Sequence, residues 1–239
     1  MTPQGAWMLL GGIVVLYLYD SALLLFHNEL VLIAKRGGWR VSGGSGLELA
    51  GRHVFLPLPF APHQPLFRLS WPEQGIPSEQ KSAARFRRVA KALSAVAPWM
   101  QLLMALFVLG LPCALFVAHS YAALLACLVA IYVVIGMTLL QVYRHRRALQ
   151  LDRRAMASIA SDALLCAPFA LNIVRKISLH LHSDVDLRAV VATWPSAAQD
   201  DLRKLLHERI RITQGFLDPD SVAYRQLDVY LNHFEDPAP

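Results

Sequence analysis

Two adjacent stretches of the chain, residues 98–120 and 121–143, contain no Asp, Glu, Lys or Arg. A helix of about 20 apolar residues crosses the roughly 30 Å hydrocarbon layer of a bilayer. Each stretch is long enough for this, and Pro112 is expected to kink the first one. The composition agrees, because 55% of the residues are hydrophobic and only 17% are charged, whereas soluble domains carry about a quarter charged residues. The sequence therefore predicts a transmembrane helical hairpin over residues 98–143.

A third apolar segment precedes these two, and residues 1–34 are predicted to form the first transmembrane helix. The apolar run extends from about Ala6 to Ala34 and is followed by Lys35 and Arg36. No Lys or Arg precedes the run, and no small-residue cleavage site follows it before Lys35. A retained helix is therefore favoured over a cleaved signal peptide.

Polar side chains interrupt this first segment and are the candidate site residues within the membrane: Tyr17, Asp20, Ser21, His27, Asn28 and Glu29. On a continuous helix all of them except Glu29, which lies on the flank, fall along one side in steps of three and four. A carboxylate inside a bilayer costs about 2.5 kcal/mol or more and usually faces a protein interior, a cavity or a partner. Asp20 and its neighbours therefore either hydrogen-bond across helices or, with His27, form part of a proton or cation path. A third interpretation ends the span near Leu25, which leaves Asp20 embedded but moves residues 27–29 into the headgroup layer.

The distribution of basic residues predicts the orientation in the membrane. Residues 35–91 contain ten Lys and Arg against three Glu, and RHRR follows the last apolar run at positions 144–147. The link between the second and third runs carries no Asp, Glu, Lys or Arg. Under the positive-inside rule the 35–97 loop and residues 144–239 are cytoplasmic, and the N-terminus is outside. Because no organelle signal is present, a bacterial inner membrane is the expected location.

The loop at 35–97 is rich in Gly and Pro at first and then becomes helical. Four short runs, WRV, LEL, HVFL and LFRL, are candidate strands of a small sheet. The SGGSG segment lacks the GK[ST] of a phosphate loop and is interpreted as a flexible turn. From Ser78 onward, the spacing of Phe86, Val89 and Leu93 predicts a basic amphipathic helix.

Basic side chains of this helix and of the RHRR segment are predicted to contact lipid headgroups, each contributing about 1 kcal/mol. They are Lys81, Arg85, Arg88, Lys91, Arg144, Arg146 and Arg147. Nucleic-acid binding is the competing interpretation. A basic helix tethered at a membrane more often meets lipid, so no nucleic-acid partner is expected.

Residues 144–239 are predicted to form a helical module in the cytoplasm. An apolar stretch at 163–174 is too short to span a bilayer, so it is expected to lie in the interface or to pack beneath the spans. Further on, Leu202, Leu205, Leu206 and Ile210 share one face of a predicted amphipathic helix.

The expected fold is therefore an all-α membrane protein with three transmembrane helices, a cytoplasmic loop that contains a possible small β element, and a helical cytoplasmic C-terminal module. The chain contains no HExxH, GxSxG, Walker A, GxGxxG or kinase signature. Its three cysteines include no CxxC pair. No metal or cofactor is expected.

The preferred function is a non-enzymatic anchor, assembly or scaffold subunit of a membrane complex. Its expected partners are membrane lipids and either another membrane protein or further copies of this chain. Two alternatives stay open. One is an oligomeric proton- or ion-pathway component that uses Asp20, and the other is a membrane lipid-modifying enzyme whose catalytic residues the sequence does not identify.

Overall fold

The computed structural model describes residues 3–35, 38–45, 47–70, 83–180, 183–184 and 196–235. The chain forms two compact units, each assembled from segments that are distant in sequence. The helical unit consists of Met1–Ala22, Leu56–Pro65 and Arg88–His180. The sheet unit consists of Leu23–Phe55, Leu66–Arg87 and Leu181–Pro239.

Two helices of the helical unit are, among the described residues, long and apolar enough to cross a membrane: Ala97–Val117 and Tyr121–His145. The first begins as α3 (Ala97–Ala105) and continues through two π-helical segments, Leu106–Gly110 and Cys113–Val117. These wider turns lie on both sides of Pro112, whose ring would clash with the preceding turn of a regular helix. The second is α4 (Tyr121–His145). The charge-free runs of the sequence therefore do form membrane-length helices.

The other helices of this unit pack beside that pair. Helix α1 covers Pro3–Ser21, and helix α5 covers Arg153–Leu165. Asp152 caps α5, because its carboxylate accepts a hydrogen bond from the Ala155 N–H at 2.6 Å. A 3₁₀ segment, Ala167–Asn172, then leads into α6 (Ile173–His180). The 3₁₀ segment packs against α1, α3, α4 and α5, and its last three residues, 170–172, are buried.

The sheet unit contains two small sheets. Their strands are β1 (Leu23–Leu25), β2 (Glu29–Lys35), β3 (Gly38–Ser42), β4 (Glu48–Leu49), β5 (Arg52–Phe55), β6 (Leu66–Ser70) and β7 (Ser183–Asp184). The first sheet is antiparallel in the order β1-β5-β4. The second has the order β3-β2-β6-β7, in which only the β6–β7 pair is parallel.

Two further helices complete the sheet unit, α7 (Ser196–Gln214) and α8 (Val222–Glu235). Helix α2 (Ala83–Ser94) is shared, because the division between the units falls at Arg87. Helix α7 packs against both α8 and β3. Leu202, Leu206 and Ile210 are buried, which are three of the four residues whose spacing indicated an amphipathic helix, and Leu205 is half-buried.

The prediction of an all-α protein with three transmembrane helices is wrong. Only two helices in the described part of the chain have the length and apolarity of a span, and the chain contains two small sheets. The apolar run at 6–34 is divided, since α1 ends at Ser21 and the remainder forms β1 and β2. Between these strands the Glu29 N–H donates to the Phe26 carbonyl at 3.0 Å, which closes a turn containing His27 and Asn28. The alternative that ended the first span near Leu25 is closer to the observed end of α1 at Ser21.

The physical reason for this error is the burial of β2. Leu30, Val31 and Leu32 are all fully buried, because β2 lies between β3 and β6 and is covered on both faces. A strand of this kind reads as a continuous apolar run without the alternation that identifies a half-buried strand. Such a run cannot be distinguished from part of an apolar helix by its periodicity.

Candidate functional site around Arg175

Arg175 is the most deeply buried charge of the helical unit, with 2% of its surface exposed. It lies on α6, and its Nη1 atom donates to three side chains. These are the Tyr17 hydroxyl at 3.2 Å, the Ser21 hydroxyl at 3.1 Å and the Asn172 carbonyl oxygen at 3.0 Å. Ser21 also donates to the Asn172 Oδ1 atom at 3.0 Å. The guanidinium thus joins α6 to α1 and to the 3₁₀ segment.

The opposite side of the same guanidinium holds the Leu56–Pro65 segment. The Nη2 atom of Arg175 donates to the backbone carbonyls of Leu58 at 2.7 Å and Ala61 at 3.3 Å. The Tyr17 hydroxyl donates to the intervening carbonyl of Pro59 at 2.5 Å. This proline-rich segment forms no helix or strand. Turn hydrogen bonds from Ala61 and Gln64 N–H groups reach the Leu58 and Ala61 carbonyls at 3.1 and 3.2 Å, so Arg175 adds a second donor to each of them and Tyr17 supplies a donor to the Pro59 carbonyl.

Asp20 belongs to a chain of charges that adjoins Arg175. Its Oδ1 atom lies 3.1 Å from the Lys176 Nζ atom, and its Oδ2 atom accepts from the Asn172 amide at 2.9 Å. The Lys176 ammonium also lies 3.2 Å from the Asp162 carboxylate and 4.9 Å from the centroid of the Phe169 ring. The two cations, Arg175 and Lys176, are therefore matched by two carboxylates. We refer to Tyr17, Asp20, Ser21, Asp162, Asn172, Arg175 and Lys176 as the Arg175 cluster.

The chemistry available to the Arg175 cluster is limited by how fully its groups bond to one another. Asp20 already accepts an amide and an ammonium, and four of the five Arg175 N–H groups face the oxygens described above. The Arg175 Nε atom is buried without a hydrogen-bond partner. Among the described residues, no group of three or more His, Cys, Asp or Glu side chains is placed to hold a metal ion. The arrangement is suited to binding chain segments together.

The structure separates the residues predicted to share one face of the first span. Tyr17, Asp20 and Ser21 lie on α1 in the Arg175 cluster, whereas His27, Asn28 and Glu29 lie in the sheet unit. No helical face joins them, because the helix ends at Ser21. The Glu29 carboxylate forms an ion pair with Arg68 and accepts from the Phe26 N–H at 2.8 Å.

The residues predicted to contact lipid headgroups are placed as follows. Arg88 and Lys91 are exposed on α2, and Arg144 and Arg147 are exposed at the C-terminal end of α4 and just beyond it. Arg146 lies over the ring of Tyr143, with 4.7 Å between its guanidinium carbon and the ring centroid. Lys81 and the side chain of Arg85 lie outside the described residues.

A second buried polar group lies in the sheet unit, where Arg209 of α7 meets the β3–β4 turn. Its Nη2 atom donates to the Gly43 carbonyl, and its Nη1 atom is buried without a hydrogen-bond partner. A Cβ atom at Gly43 would lie 3.1 Å from that guanidinium, so a larger residue there would require the Arg209 side chain to shift. Burial lowers the pKa of Arg209 from its ordinary value, while the charges of Glu208 and Glu48 oppose this shift.

His53 is buried in the same unit on β5. Its Nε2 atom lies 3.5 Å from the Glu48 carboxylate, and its Nδ1 atom has no hydrogen-bond partner. Burial lowers the pKa of His53 and the positive charge of Arg209 lowers it further, whereas Glu48 opposes both effects. His53 is therefore held towards its neutral form in the folded protein.

Sequence reasoning missed the partners of Asp20. Arg175 and Lys176 follow the apolar stretch at 163–174, which is a signal that polar groups return there, and Asn172 is the one polar residue near its end. Nothing in the sequence links these residues to α1, about 150 positions earlier.

No protein-family model, curated protein or solved structure matches this chain. The functional interpretation therefore rests on the residues and contacts described above.

Proposed function

We propose that this protein is a non-enzymatic anchor or assembly subunit of a membrane complex. In this proposal the Ala97–Val117 and Tyr121–His145 helices insert into the bilayer, and the sheet unit binds a partner protein. The observation that supports it best is the Arg175 cluster. Its charges are compensated by one another, and its hydrogen bonds tie α1, the 3₁₀ segment and the Leu56–Pro65 segment to α6. A cluster of this kind joins chain segments and stabilises the fold, and we call it a structural junction.

The proposed orientation places the C-terminal end of α4 in the cytoplasm. Arg144 and Arg147 are exposed there, while residues 118–120 at the opposite end contain no Asp, Glu, Lys or Arg. The Trp7 ring lies 4.9 Å from the Phe116 ring, which supports an N-terminus near that opposite, outer end. A bacterial inner membrane is the proposed location, and anionic lipid headgroups are the proposed contacts of the exposed arginines.

Exposed apolar side chains on α7 and α8 support a protein partner. Phe216 is 86% exposed at the turn between these helices, and Ile212 on α7 and Val222 and Val229 on α8 are also exposed. Aromatic side chains of this kind often provide the main binding energy of an interface. We propose that the α7–α8 surface contacts another membrane protein or a second copy of this chain.

The test is affinity purification of the tagged full-length chain in mild detergent, followed by mass spectrometry and native mass measurement. The wild type is expected to retain one membrane protein at fixed stoichiometry, and Phe216→Ser is expected to reduce its recovery at least about tenfold, as for truncation of an interface anchor. Leu47→Ser is the matched control, because Leu47 is an exposed apolar residue elsewhere in the same unit. A monomer that retains no partner, and that changes the lipids supplied to it, would favour the lipid-modifying enzyme instead.

A second candidate function, a proton or cation path, is favoured by one observation. Asp162, Lys176 and Asp20 form a chain of ionisable groups separated by 3.2 and 3.1 Å, and its outer member, Asp162, is 48% exposed. If this chain conducts protons, Asp20→Asn abolishes pH-dependent flux in proteoliposomes, because the amide does not titrate.

The same position separates the two functions. If the cluster is a structural junction, Asp20→Asn keeps the hydrogen bond to Asn172 and mostly preserves the complex, whereas Asp20→Leu leaves the Lys176 ammonium and the Asn172 amide without this partner and weakens it. Full pH-dependent flux through the Asp20→Asn variant would exclude the proton path. A larger loss of complex with Asn than with Leu would exclude the junction.

A further inference from the structure

Helix α5 runs antiparallel to α4 and ends beside its midpoint. A connection of seven residues joins the end of α4 at His145 to the start of α5 at Arg153. At the other end of α5, the Tyr132 hydroxyl donates to the Leu164 carbonyl at 3.3 Å. With a rise of about 1.5 Å per residue, Tyr132 lies about 16 Å from the Tyr121 end of α4 and about 20 Å from the His145 end. Leu164 is therefore level with the middle of α4.

The chain then reverses and returns. The 3₁₀ segment follows α5 directly, and α6 packs against α5. The Lys176–Asp162 ion pair at 3.2 Å connects the two helices a few residues from the reversal. Helices α5 and α6 thus form a hairpin that opens towards the His145 end of α4 and has its tip at residues 164–169.

The contacts of α1 give a second measure of the hairpin's position along the membrane-length helices. Its Trp7 ring contacts Phe116, near the C-terminal end of the Ala97–Val117 helix. Ten residues later, the backbone carbonyl of Tyr17 accepts from Asn172 at 3.4 Å, at the end of the 3₁₀ segment. These ten residues correspond to about 15 Å along α1. The packing of α1 therefore also places the hairpin about halfway along the spans, independently of the contact between Tyr132 and Leu164.

The tip of the hairpin is apolar and exposed at this level. Leu165 is 85% exposed and Leu164 is half-exposed, and Val129 and Val133 of α4 are exposed within one turn of Tyr132. We propose that the α5–α6 hairpin is re-entrant, and that Leu164 and Leu165 contact lipid acyl chains at the mid-level of the α4 span. This inference rests on the membrane insertion proposed above.

The polar groups near the tip satisfy the requirement that hydrocarbon imposes, namely that irregular backbone finds its partners within the protein. The Cys166 N–H donates to the Asp162 carbonyl at 3.0 Å, and the Phe169 N–H donates to the Cys166 carbonyl at 2.9 Å. The Ser161 hydroxyl donates to the Ser158 carbonyl at 2.9 Å. The Asp162 carboxylate, which is 48% exposed, is paired with the Lys176 ammonium, as charges inside a bilayer usually are.

Single nitroxide labels in the full-length protein test the proposal. In a background in which Cys113, Cys127 and Cys166 are replaced by Ala, Leu165→Cys and Val133→Cys report the tip and the adjacent span. The variants are reconstituted into vesicles of phosphatidylethanolamine and phosphatidylglycerol. Power-saturation spectroscopy then compares the collision rates of each label with oxygen, which partitions into lipid, and with a water-soluble nickel chelate.

Two controls give the scale. A label at Arg154, near the open end of the hairpin, is expected to collide mainly with nickel, as is a label at Leu47, an exposed apolar residue of the sheet unit. The Leu165 and Val133 labels are expected to have equal oxygen-to-nickel ratios, several-fold above both controls. A Leu165 label as accessible to nickel as the Arg154 label, beside an oxygen-rich Val133 label, would refute the re-entrant hairpin and leave membrane insertion standing. Nickel access at both Leu165 and Val133 would overturn membrane insertion itself.

Discussion

Replacing Arg175 by Met is expected to be the most damaging single substitution in the helical unit. Methionine preserves most of the side-chain length but removes all five donated hydrogen bonds. On the buried side, the hydroxyl of Ser21 and the amide oxygen of Asn172 lose a charged donor. On the other side, the carbonyls of Leu58 and Ala61 keep the backbone hydrogen bonds from Ala61 and Gln64 and are only partly buried, so they lose less.

The magnitude follows from these contacts. A hydrogen bond to a charged group contributes about 1.5–3 kcal/mol to stability, and the two that Arg175 donates to Ser21 and Asn172 are buried. Because the loop carbonyls remain partly accessible to water, we expect a loss of about 3–5 kcal/mol for the whole substitution, which is less than the sum of its bonds. For a chain of this size that corresponds to a fall in the unfolding temperature of about 10 °C.

The assay is thermal unfolding of the purified protein in mild detergent, combined with limited proteolysis. Arg175→Met is expected to expose residues 56–65 to cleavage at temperatures where the wild type is resistant. Arg225→Met is the matched control, because Arg225 makes one exposed hydrogen bond, to the Asp220 carbonyl at 3.0 Å; its expected effect is below about 0.5 kcal/mol. Equal unfolding temperatures and cleavage rates for Arg175→Met and the wild type would refute the role assigned to the cluster.

Two predictions concern the sheet unit. Burial lowers the pKa of His53 in the folded state, so as the pH falls below the ordinary histidine pKa of about 6.5 the unfolded state binds more protons and the unfolding temperature falls. His53→Gln is expected to reduce this fall, whereas His180→Gln, at an exposed histidine, leaves it unchanged. An unaltered pH profile for His53→Gln would contradict the assignment. Gly43→Ala is expected to destabilise the fold by about 1–3 kcal/mol in denaturant unfolding, because its Cβ meets the Arg209 guanidinium at 3.1 Å, while Gly11→Ala, which meets nothing within 4 Å, causes no comparable loss.

The two membrane-length helices could be predicted because their signal is both long and unambiguous. A run of more than 20 residues without a charge exceeds what a buried strand or a short core helix requires. The predicted runs at 98–120 and 121–143 accordingly lie within a few residues of the observed helices, Ala97–Val117 and Tyr121–His145. The sequence predicts a kink at Pro112 because the effect of proline on a helix is local; the π-helical form of the turns on both sides of it was not predicted.

The prediction of one helix for the first apolar run was wrong because the run contains a helix and two strands of similar composition. No Gly or Pro marks the end of α1 at Ser21, and the three residues of β1 are all leucine. The signal that marks the change of structure is the polar group His27–Asn28–Glu29. It was interpreted as part of a helical face, but these residues form a turn and begin β2. Four other strands, β3 to β6, lie on the short runs that turn residues flank in the sequence.

Of the Arg175 cluster, only the residues on α1 could be grouped from the sequence. Helical spacing brings Tyr17, Asp20 and Ser21 together on α1, because the periodicity of a helix is a local property. Their partners, Asn172 and Arg175, are brought to them by the packing of the 3₁₀ segment against α1, which depends on the tertiary structure. The sequence therefore indicates that a polar partner is needed without indicating which residue provides it.

Arg175 and Lys176 show why charge alone does not describe such a site. In sequence they are two positive charges after an apolar stretch, yet the structure gives them different chemistry. Arg175 donates from a rigid planar fork to five oxygens of neutral groups on three segments, a pattern that a single ammonium cannot reproduce. Lys176 places one compact charge between the carboxylates of Asp20 and Asp162. The fork fixes the geometry of the buried side of the junction, and the ammonium compensates the carboxylates on its more exposed side.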